Sequence, residues 1–204
     1  MKSGILGGTF DPIHKGHIEM AKLSKTSLGL DKIIFMPSGN PPHKNHISDN
    51  QTRMDMIKLA IKNYSCFCAS DFEFARDGII YTSDTLTLLC KNNPDTEYTF
   101  IIGADSLYNL DGWHRPDIIC QKADIAVCAR DNVSHASLNA ESIRLSRKYG
   151  ARIHIIDFPC IDISSHEIRD NIYTNPNMIK EFLNDEVYKY IIQKGLYRNE
   201  GYNI

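Results

Sequence analysis

Residues 7–17 read GGTFDPIHKGH and follow directly on a short apolar run, Ser3–Leu6. The apolar run predicts a buried strand, and the paired glycines predict a turn at which backbone can approach a ligand closely. A helical pattern begins at His17 or Ile18 and continues to Leu28. A strand, a glycine turn and a helix start in this order favour phosphate binding, because the first N–H groups of a helix are unpaired and carry partial positive charge.

The rest of the chain repeats this alternation of strand-like and helix-like segments. Apolar runs that predict strands lie at Lys32–Met36, Cys66–Phe74, Tyr98–Ile102, Ile125–Ala129 and Ile153–Ile156. Amphipathic stretches that predict helices lie at Ser48–Ile61, Ser83–Leu89, Arg115–Lys122 and Ser137–Lys148, with one or two short helices over Asn177–Lys194. Such alternation predicts an α/β fold with a mostly parallel sheet, whose ligands bind beyond the carboxyl ends of the strands.

Composition narrows the class of protein. The 204 residues fit a single domain spanning 1–204, and 42% hydrophobic with 24% charged residues is typical of a globular protein. A net charge of -2 argues against a nucleic-acid partner. No apolar run is long enough for a membrane span and no secretory signal precedes the first strand, so we expect a cytoplasmic protein without a membrane partner. Assembly into a homo-oligomer is compatible with the sequence.

The two histidines of the opening stretch allow three interpretations. Imidazoles at His14 and His17, three residues apart, can share one face of a first helical turn and donate hydrogen bonds to phosphate. A metal site would need a third ligand and usually a spacing of four, and Gly16 stands where a metalloprotease carries its glutamate. Two surface histidines on an ordinary turn are the third interpretation. The complete run of glycines, proline and histidines favours phosphate, and we predict no protein-bound metal.

The opening stretch resembles the His-x-Gly-His signature of the nucleotidyltransferase superfamily. Within it the whole chain is similar to the bacterial nicotinate-nucleotide adenylyltransferases, through PPHK at 41–44, YTSDTL at 81–86, IIGADS at 101–106 and ISSHEIR at 163–169. The resemblance implies a Rossmann-like nucleotidyltransferase fold with helices on both faces of the sheet and a small C-terminal helical part from about 164 to 204. It also implies AMP transfer from ATP, accompanied by Mg²⁺, to nicotinate mononucleotide, giving nicotinate adenine dinucleotide and pyrophosphate.

Each motif supplies candidate site residues. The catalytic candidates are His14, His17, Lys44 and Arg169. The candidates for binding ATP are Gly7, Gly8, Thr9, Phe10, His14, His17, Gly103, Asp105, Ser164, Ser165 and Arg169. The candidates for binding nicotinate mononucleotide are Asn40, Lys44, Thr85 and Trp113.

Physical chemistry supports several of these roles. Prolines stiffen the loop that carries Lys44, which could then hold a point charge over the phosphates. A free N–H at Thr85, near a helix start, could receive the nicotinate carboxylate. Trp113 could stack on the pyridine ring, and Arg169 could reach back to the leaving phosphates. His166 replaces the threonine of the family pattern, which removes any hydroxyl contact at that position.

Three alternatives remain at this point. Phosphopantetheine adenylyltransferases and cytidylyltransferases share the opening motif, but the former usually carry threonine in place of His14. A redox Rossmann enzyme is disfavoured because no Gly-x-Gly-x-x-Gly follows a strand. A nucleotide-binding protein without activity would have lost catalytic groups, whereas His14, His17, Lys44 and Arg169 are all present.

Overall fold

A computed structural model describes residues 1–39, 47–76, 78–130, 134–159, 161 and 163–198. Within them one sheet is formed by β1 (Lys2–Gly8), β2 (Lys32–Pro37), β3 (Phe67–Ala69), β4 (Glu97–Gly103), β5 (Asp124–Arg130) and β6 (Ile153–Phe158). Every neighbouring pair is parallel, and the spatial order is β3-β2-β1-β4-β5-β6. The direction of strand addition reverses between β1 and β4, which creates a crevice at their carboxyl ends.

Helices connect the strands. Their bounds are α1 (Lys15–Leu28), α2 (Asn50–Ile61), α3 (Thr82–Asn92), α4 (Ala104–Tyr108), α5 (Pro116–Lys122), α6 (His135–Tyr149), α7 (Ser165–Asn171), α8 (Pro176–Phe182) and α9 (Asp185–Lys194), with a 3₁₀ turn at Leu110–Gly112. The predicted α/β class, the parallel sheet and the C-terminal helical segment are confirmed. The short helix α4, directly after β4, was not predicted.

The sheet is buried on both faces, which explains why its strands are nearly continuous apolar runs. Successive residues of one strand point to opposite faces. Leu6 of β1 therefore packs in a core with α1, α2 and α9, whereas its neighbour Ile5 packs in a second core with α3 and α5. Helices consequently cover both faces, as the family resemblance implies.

Two local predictions need correction. The alternating segment Cys66–Phe74 is not one strand, because only Phe67–Ala69 pairs with β2 and residues 72–75 form a turn. The helix predicted from Ser48 begins at Asn50, and Asp49 is its cap: the Asp49 carboxylate accepts the N–H of Thr52 at 2.8 Å. Either oxygen-bearing side chain suits a helix start, so local sequence alone does not choose between them.

The C-terminal helices are anchored on the sheet domain. Val187 and Ile191 of α9 are fully buried in the same core as Ile57 of α2. The Tyr190 hydroxyl also donates to Asp55 at 2.9 Å. None of the helices in the described part of the chain has the length and apolarity needed to cross a membrane.

Candidate active site

A cavity of about 390 Å³ opens at the carboxyl ends of β1, β2 and β4, at the point where the strand order reverses. It brings together residues from distant parts of the sequence. Its predicted members are Gly7, Gly8, His17, Thr85, Gly103 and Trp113, and they are joined by Ser38, Gly39, Glu73, Phe100 and Ser106. One cavity therefore unites predicted ATP ligands with predicted mononucleotide ligands.

The two histidines begin α1. His14 is the N-cap and His17 the third helical residue, so the helix starts earlier than the apolar pattern indicated. The backbone N–H of His14 donates to Nδ1 of His17 at 3.2 Å, and the ring centroids lie 3.8 Å apart. Because Nδ1 of His17 is an acceptor, the neutral ring carries its proton on Nε2, where it can donate to phosphate.

The glycine between the histidines has a packing reason. A Cβ at Gly16 would lie 3.0 Å from the His14 ring, which is tighter than ordinary van der Waals contact. Glycine therefore lets the His14 imidazole lie against the first turn of α1. His14 itself is 8% exposed and borders a second cavity of about 320 Å³, whereas His17 lines the main one.

Phe10 and Thr9 support the site from behind. Phe10 has a positive φ of 52° and is 1% exposed, with its ring 5.0 Å from that of His17 in an edge-on arrangement. The Phe10 side chain consequently belongs to the core, and a contact of this residue with ATP stays a prediction. The Thr9 carbonyl accepts a hydrogen bond from Arg53 at 3.0 Å, so the loop is held through its backbone.

Helix α7 docks on the histidine loop. Ser165 Oγ donates to the Pro12 carbonyl at 2.9 Å, and Arg169 Nη1 donates to the Asp11 carbonyl at 2.7 Å. Ser164 caps the helix, because its Oγ accepts the Glu167 N–H at 3.1 Å, while its own N–H donates to the Glu167 carboxylate at 2.8 Å. Ser164 and Glu167 thus form a capping box at the start of α7, and Arg169 is brought beside the loop that precedes His14.

Asp11 is a structural residue of this loop. It is 2% exposed, and its carboxylate accepts the Tyr197 hydroxyl at 2.6 Å and the Ser48 N–H at 3.1 Å. Burial, reinforced by the Asp11 charge, raises the pKa of Tyr197, so the phenol stays a neutral donor. Both oxygens of the Asp11 carboxylate are therefore occupied by protein donors.

The opposite wall carries Gly103, Asp105 and Trp113. Gly103 ends β4 and lines the cavity, while Asp105 lies exposed in the first turn of α4. Trp113 follows the 3₁₀ turn and packs edge-on against Phe100, with the ring centroids 6.0 Å apart. Trp113 is thus held at the cavity wall by an aromatic residue of the central sheet.

The predicted free N–H at Thr85 is wrong. Helix α3 begins at Thr82, so Thr85 is its fourth residue and its N–H donates to the Tyr81 carbonyl at 3.1 Å. The N–H groups that precede this first α-helical bond are those of Thr82 and Ser83. Thr85 still lines the cavity, with its buried hydroxyl donating to Glu73 at 2.8 Å.

Sequence reasoning missed two charged residues at the site. Glu73 lines the cavity, and burial raises the pKa of its carboxyl. Arg53 is 1% exposed beneath the loops after β1 and β2. The sequence does contain a signal for each residue. Glu73 is a carboxylate between two aromatic residues, Phe72 and Phe74. Arg53 lies at the start of the apolar helical face formed by Met56, Ile57 and Ala60.

Two predicted residues, Asn40 and Lys44, lie outside the described residues. Within the described ranges, no group of three or more His, Cys, Asp or Glu side chains is arranged to hold a metal ion.

Comparisons with known proteins identify the family. A family model described as cytidylyltransferase-like matches residues 5–171. A probable nicotinate-nucleotide adenylyltransferase of Lachnoclostridium phytofermentans is 40% identical over 198 residues, which cover 96% of this chain and 98% of the relative. One of Clostridium tetani is 39% identical, with coverage of 97% and 99%. The chain belongs to the nicotinate-nucleotide adenylyltransferase family.

Solved structures share the fold of this nicotinate-nucleotide adenylyltransferase family member. The Plasmodium falciparum nicotinic acid mononucleotide adenylyltransferase complexed with NaAD superposes with a TM-score of 0.81, 20% identity and coverage of 96% and 97%. The same enzyme complexed with APC gives a TM-score of 0.78 at 19% identity, covering 96% of each chain. The arrangement of strands and helices is therefore that of known adenylyltransferases.

Proposed function

We propose that the chain transfers the AMP moiety of ATP to nicotinate mononucleotide, forming nicotinate adenine dinucleotide and pyrophosphate. The observation that carries this function is one cavity lined by Gly7, Gly8 and His17 on one side and by Thr85 and Trp113 on the other. The first group suits a polyphosphate and the second a flat ring with a small acidic substituent. We further propose that residues 1–204 act as one nucleotidyltransferase domain.

The reaction needs positioning and charge neutralisation rather than a protein nucleophile. The phosphate of nicotinate mononucleotide is already anionic and attacks the α-phosphorus of ATP in line, while the bond to the β-phosphate oxygen breaks and pyrophosphate leaves. Nε2–H of His17 donates to the α-phosphate as charge develops there. His14 and Lys44 add positive or donor groups along the phosphates.

Arg169 is assigned to the leaving pyrophosphate. One of its guanidinium nitrogens is already bound to the Asp11 carbonyl, which fixes the side chain beside the histidine loop. The rest of the planar fork can then meet phosphate oxygens with little further ordering. Ser165 holds α7 against the same loop and Ser164 caps the helix, which together keep Arg169 in place.

The mononucleotide is assigned to the wall formed by α3 and the loop after α4. Trp113 stacks on the pyridine ring, and the first N–H groups of α3, at Thr82 and Ser83, receive the nicotinate carboxylate. An amide in place of the acid would turn an NH₂ group toward these donors. Discrimination of this kind can be large because a buried polar group is left unpaired. Asn40 and Lys44 are assigned to the phosphate and ribose of the same substrate.

Mg²⁺ enters as the complex with ATP. The described residues fit a cation held mainly by phosphate oxygens and water, because both oxygens of Asp11 accept protein donors. When bound, the cation neutralises charge on the leaving phosphates.

The experiment that tests this function measures pyrophosphate release from purified protein with ATP and Mg²⁺. Parallel reactions contain nicotinate mononucleotide, nicotinamide mononucleotide, phosphopantetheine or no acceptor. We expect release with nicotinate mononucleotide, less with the amide, and none in the other two reactions. Release with phosphopantetheine, or equal release without acceptor, would overturn the proposal.

A further inference from the structure

We propose that Arg53 and Glu73 are a pair of positioning residues that hold the Ser38–Gly39 peptide group between them. Through this peptide they align the mononucleotide side of the cavity with the phosphate loop after β1. The inference rests on the proposed function for its kinetic consequence, but the structural part can be tested without any activity.

Arg53 supplies the carbonyl side of this arrangement. Its Nη1 donates to the Ser38 carbonyl at 2.9 Å and to the Thr9 carbonyl at 3.0 Å, so a single nitrogen joins the loops that follow β2 and β1. Nε and Nη2 donate to Ser48 and Asn50 at 3.1 and 2.6 Å. A guanidinium that is 1% exposed requires such partners, because a buried charge without hydrogen bonds is very costly.

Glu73 supplies the amide side. Its Oε2 accepts the Gly39 N–H at 3.4 Å, and its Oε1 accepts the Thr85 hydroxyl at 2.8 Å. Arg76 Nη1 in turn donates to the Thr85 hydroxyl at 3.1 Å. The carboxylate therefore joins the exit of β2 to the first turns of α3, where the nicotinate carboxylate is assigned.

The carbonyl of Ser38 and the N–H of Gly39 belong to one peptide group. In a trans peptide these two groups point in opposite directions, so a cation on one side and a carboxylate on the other fix the plane of the peptide. A direct consequence is that one buried cation and one partly buried carboxylate control the orientation of the backbone at the cavity wall. Ser38 and Gly39 both line that cavity.

Packing around Gly39 and Arg53 supports the same arrangement independently of the hydrogen bonds. A Cβ at Gly39 would lie 2.5 Å from the Glu73 carbonyl oxygen, a distance that no side chain tolerates. The Phe74 ring lies 5.1 Å from the guanidinium carbon of Arg53, close enough for a cation–π contact. The segment at Glu73 and Phe74 thus touches both the peptide and the arginine that binds it.

The position of this peptide in the chain explains its importance for the reaction. Residue 40 follows immediately, and the segment that it begins carries the proposed mononucleotide ligands Asn40 and Lys44. Rotating the Ser38–Gly39 plane would alter the cavity wall that these two residues line, while Thr9, tied to the same Arg53, belongs to the phosphate loop. Both residues consequently act on substrate geometry without touching the reacting atoms.

The structural test uses the fact that the sequence contains only two Ser–Gly peptides, Ser3–Gly4 and Ser38–Gly39. Protein labelled with ¹³C at serine carbonyls and ¹⁵N at glycine gives one NMR signal for each, selected through the one-bond coupling between the serine carbonyl carbon and the glycine nitrogen. We expect Arg53→Lys to shift the Ser38 carbonyl resonance and Glu73→Gln to shift the Gly39 amide, with Ser3–Gly4 unchanged as an internal control. Unchanged Ser38–Gly39 signals in both variants would overturn the proposal.

The kinetic test compares Arg53→Lys, Glu73→Ala and Glu73→Gln with a matched pair, Arg152→Lys and Asp124→Asn. The matched pair lies at the amino ends of β5 and β6, away from the cavity, where Arg152 Nε donates to the Asp124 carboxylate at 2.6 Å. For Arg53→Lys and Glu73→Ala we expect the KM for nicotinate mononucleotide to rise about tenfold, as for loss of one hydrogen bond to a charged group. Glu73→Gln, which keeps one acceptor, should give a smaller rise, and the matched pair should give none.

The outcomes distinguish a failure of the positioning role of Arg53 and Glu73 from a failure of the proposed function. A fall in thermal stability with unchanged KM values would show a merely structural role and overturn the positioning role. If wild-type protein released no pyrophosphate with nicotinate mononucleotide, the proposed function would fail, and the labelled peptide would still decide whether Arg53 and Glu73 hold it.

Discussion

The two walls of the cavity are held in different ways. On the phosphate side, the loop after β1 is tied by groups away from water: Asp11 is 2% and Arg53 1% exposed. On the pyridine side, the loop that carries Trp113 is tied by Asp111, which accepts the Tyr149 hydroxyl at 2.6 Å and the Lys148 ammonium at 3.1 Å on an exposed surface. Arg144 adds an ion pair to the same carboxylate at 2.8 Å.

This difference predicts different behaviour. Hydrogen bonds to buried charges are strong and poorly screened, whereas exposed ion pairs are weak and sensitive to salt. The phosphate wall is therefore formed before ATP binds, and the Trp113 wall can adjust to the mononucleotide. Variants of the first wall should lower stability together with catalysis or substrate binding, and variants of the second should change mainly the KM for the mononucleotide, with little loss of stability.

The largest effect is expected at His17. Replacing it with alanine removes the Nε2 donor at the reacting phosphate and should lower kcat by about 10²–10³-fold, the size typical of a lost oxyanion donor. Steady-state pyrophosphate release measures this loss.

His17→Asn is the matched control, because an amide oxygen can replace Nδ1 as acceptor of the His14 N–H without replacing Nε2. We expect His17→Asn to recover the stability that is lost in His17→Ala. We do not expect it to recover the activity of the wild-type protein. Full activity in His17→Asn would show that the helix cap, not the imidazole donor, matters.

A smaller effect is expected for Tyr197→Phe, which removes a donor from buried Asp11. The free energy of unfolding should fall by about 1–3 kcal/mol, the usual cost of leaving a buried acceptor unpaired. Denaturant unfolding and the KM for ATP, which should rise, provide the measurements. Tyr173→Phe is the control: its exposed hydroxyl donates to the Leu196 carbonyl at 2.9 Å, and we expect a change within about 0.5 kcal/mol. Equal effects in both variants would contradict the special role of Asp11.

The smallest effect is expected for Asp111→Asn, which loosens the Trp113 loop. The KM for nicotinate mononucleotide should rise by about threefold, in line with the weakness of exposed ion pairs. The wild-type KM should rise toward the variant's value in high salt, whereas the variant should respond little. Glu19→Gln, which breaks the exposed pair with Lys22 on α1, is the control and should not change the KM. A salt response that is the same in both proteins would contradict the assignment.

The pH dependence of the contacts made by the Asp111 carboxylate follows from the pKa of that group. The Tyr149 hydroxyl, followed by Lys148 and Arg144, lowers that pKa to about 2. Because the folded pKa is below the unfolded one, the stabilisation is complete above the unfolded value and disappears as the pH falls toward about 2. Between pH 5 and pH 8 the Asp111 contacts should therefore not contribute to any pH dependence of the KM.

Much of the fold was predictable because its signals are local. The apolar runs of β1 and β4 and the glycine turn after β1 are visible in the sequence, and they place the cavity at the ends of these strands. The alternation of apolar and polar residues wrongly predicted one strand over Cys66–Phe74, because the alternation continues into a turn. This turn places Glu73 at the cavity. The donation from Tyr197 to Asp11 spans 186 positions and has no local pattern. The N–H of Thr85 was misassigned because α3 begins one residue before the predicted start.

The most direct measurement is a crystal structure of the protein with a non-hydrolysable ATP analogue and nicotinate mononucleotide. The account predicts that Nε2 of His17 lies about 3 Å from an α-phosphate oxygen and that Trp113 lies against the pyridine ring. A triphosphate bound away from the β1 loop, with the His17 ring turned from it, would contradict the account.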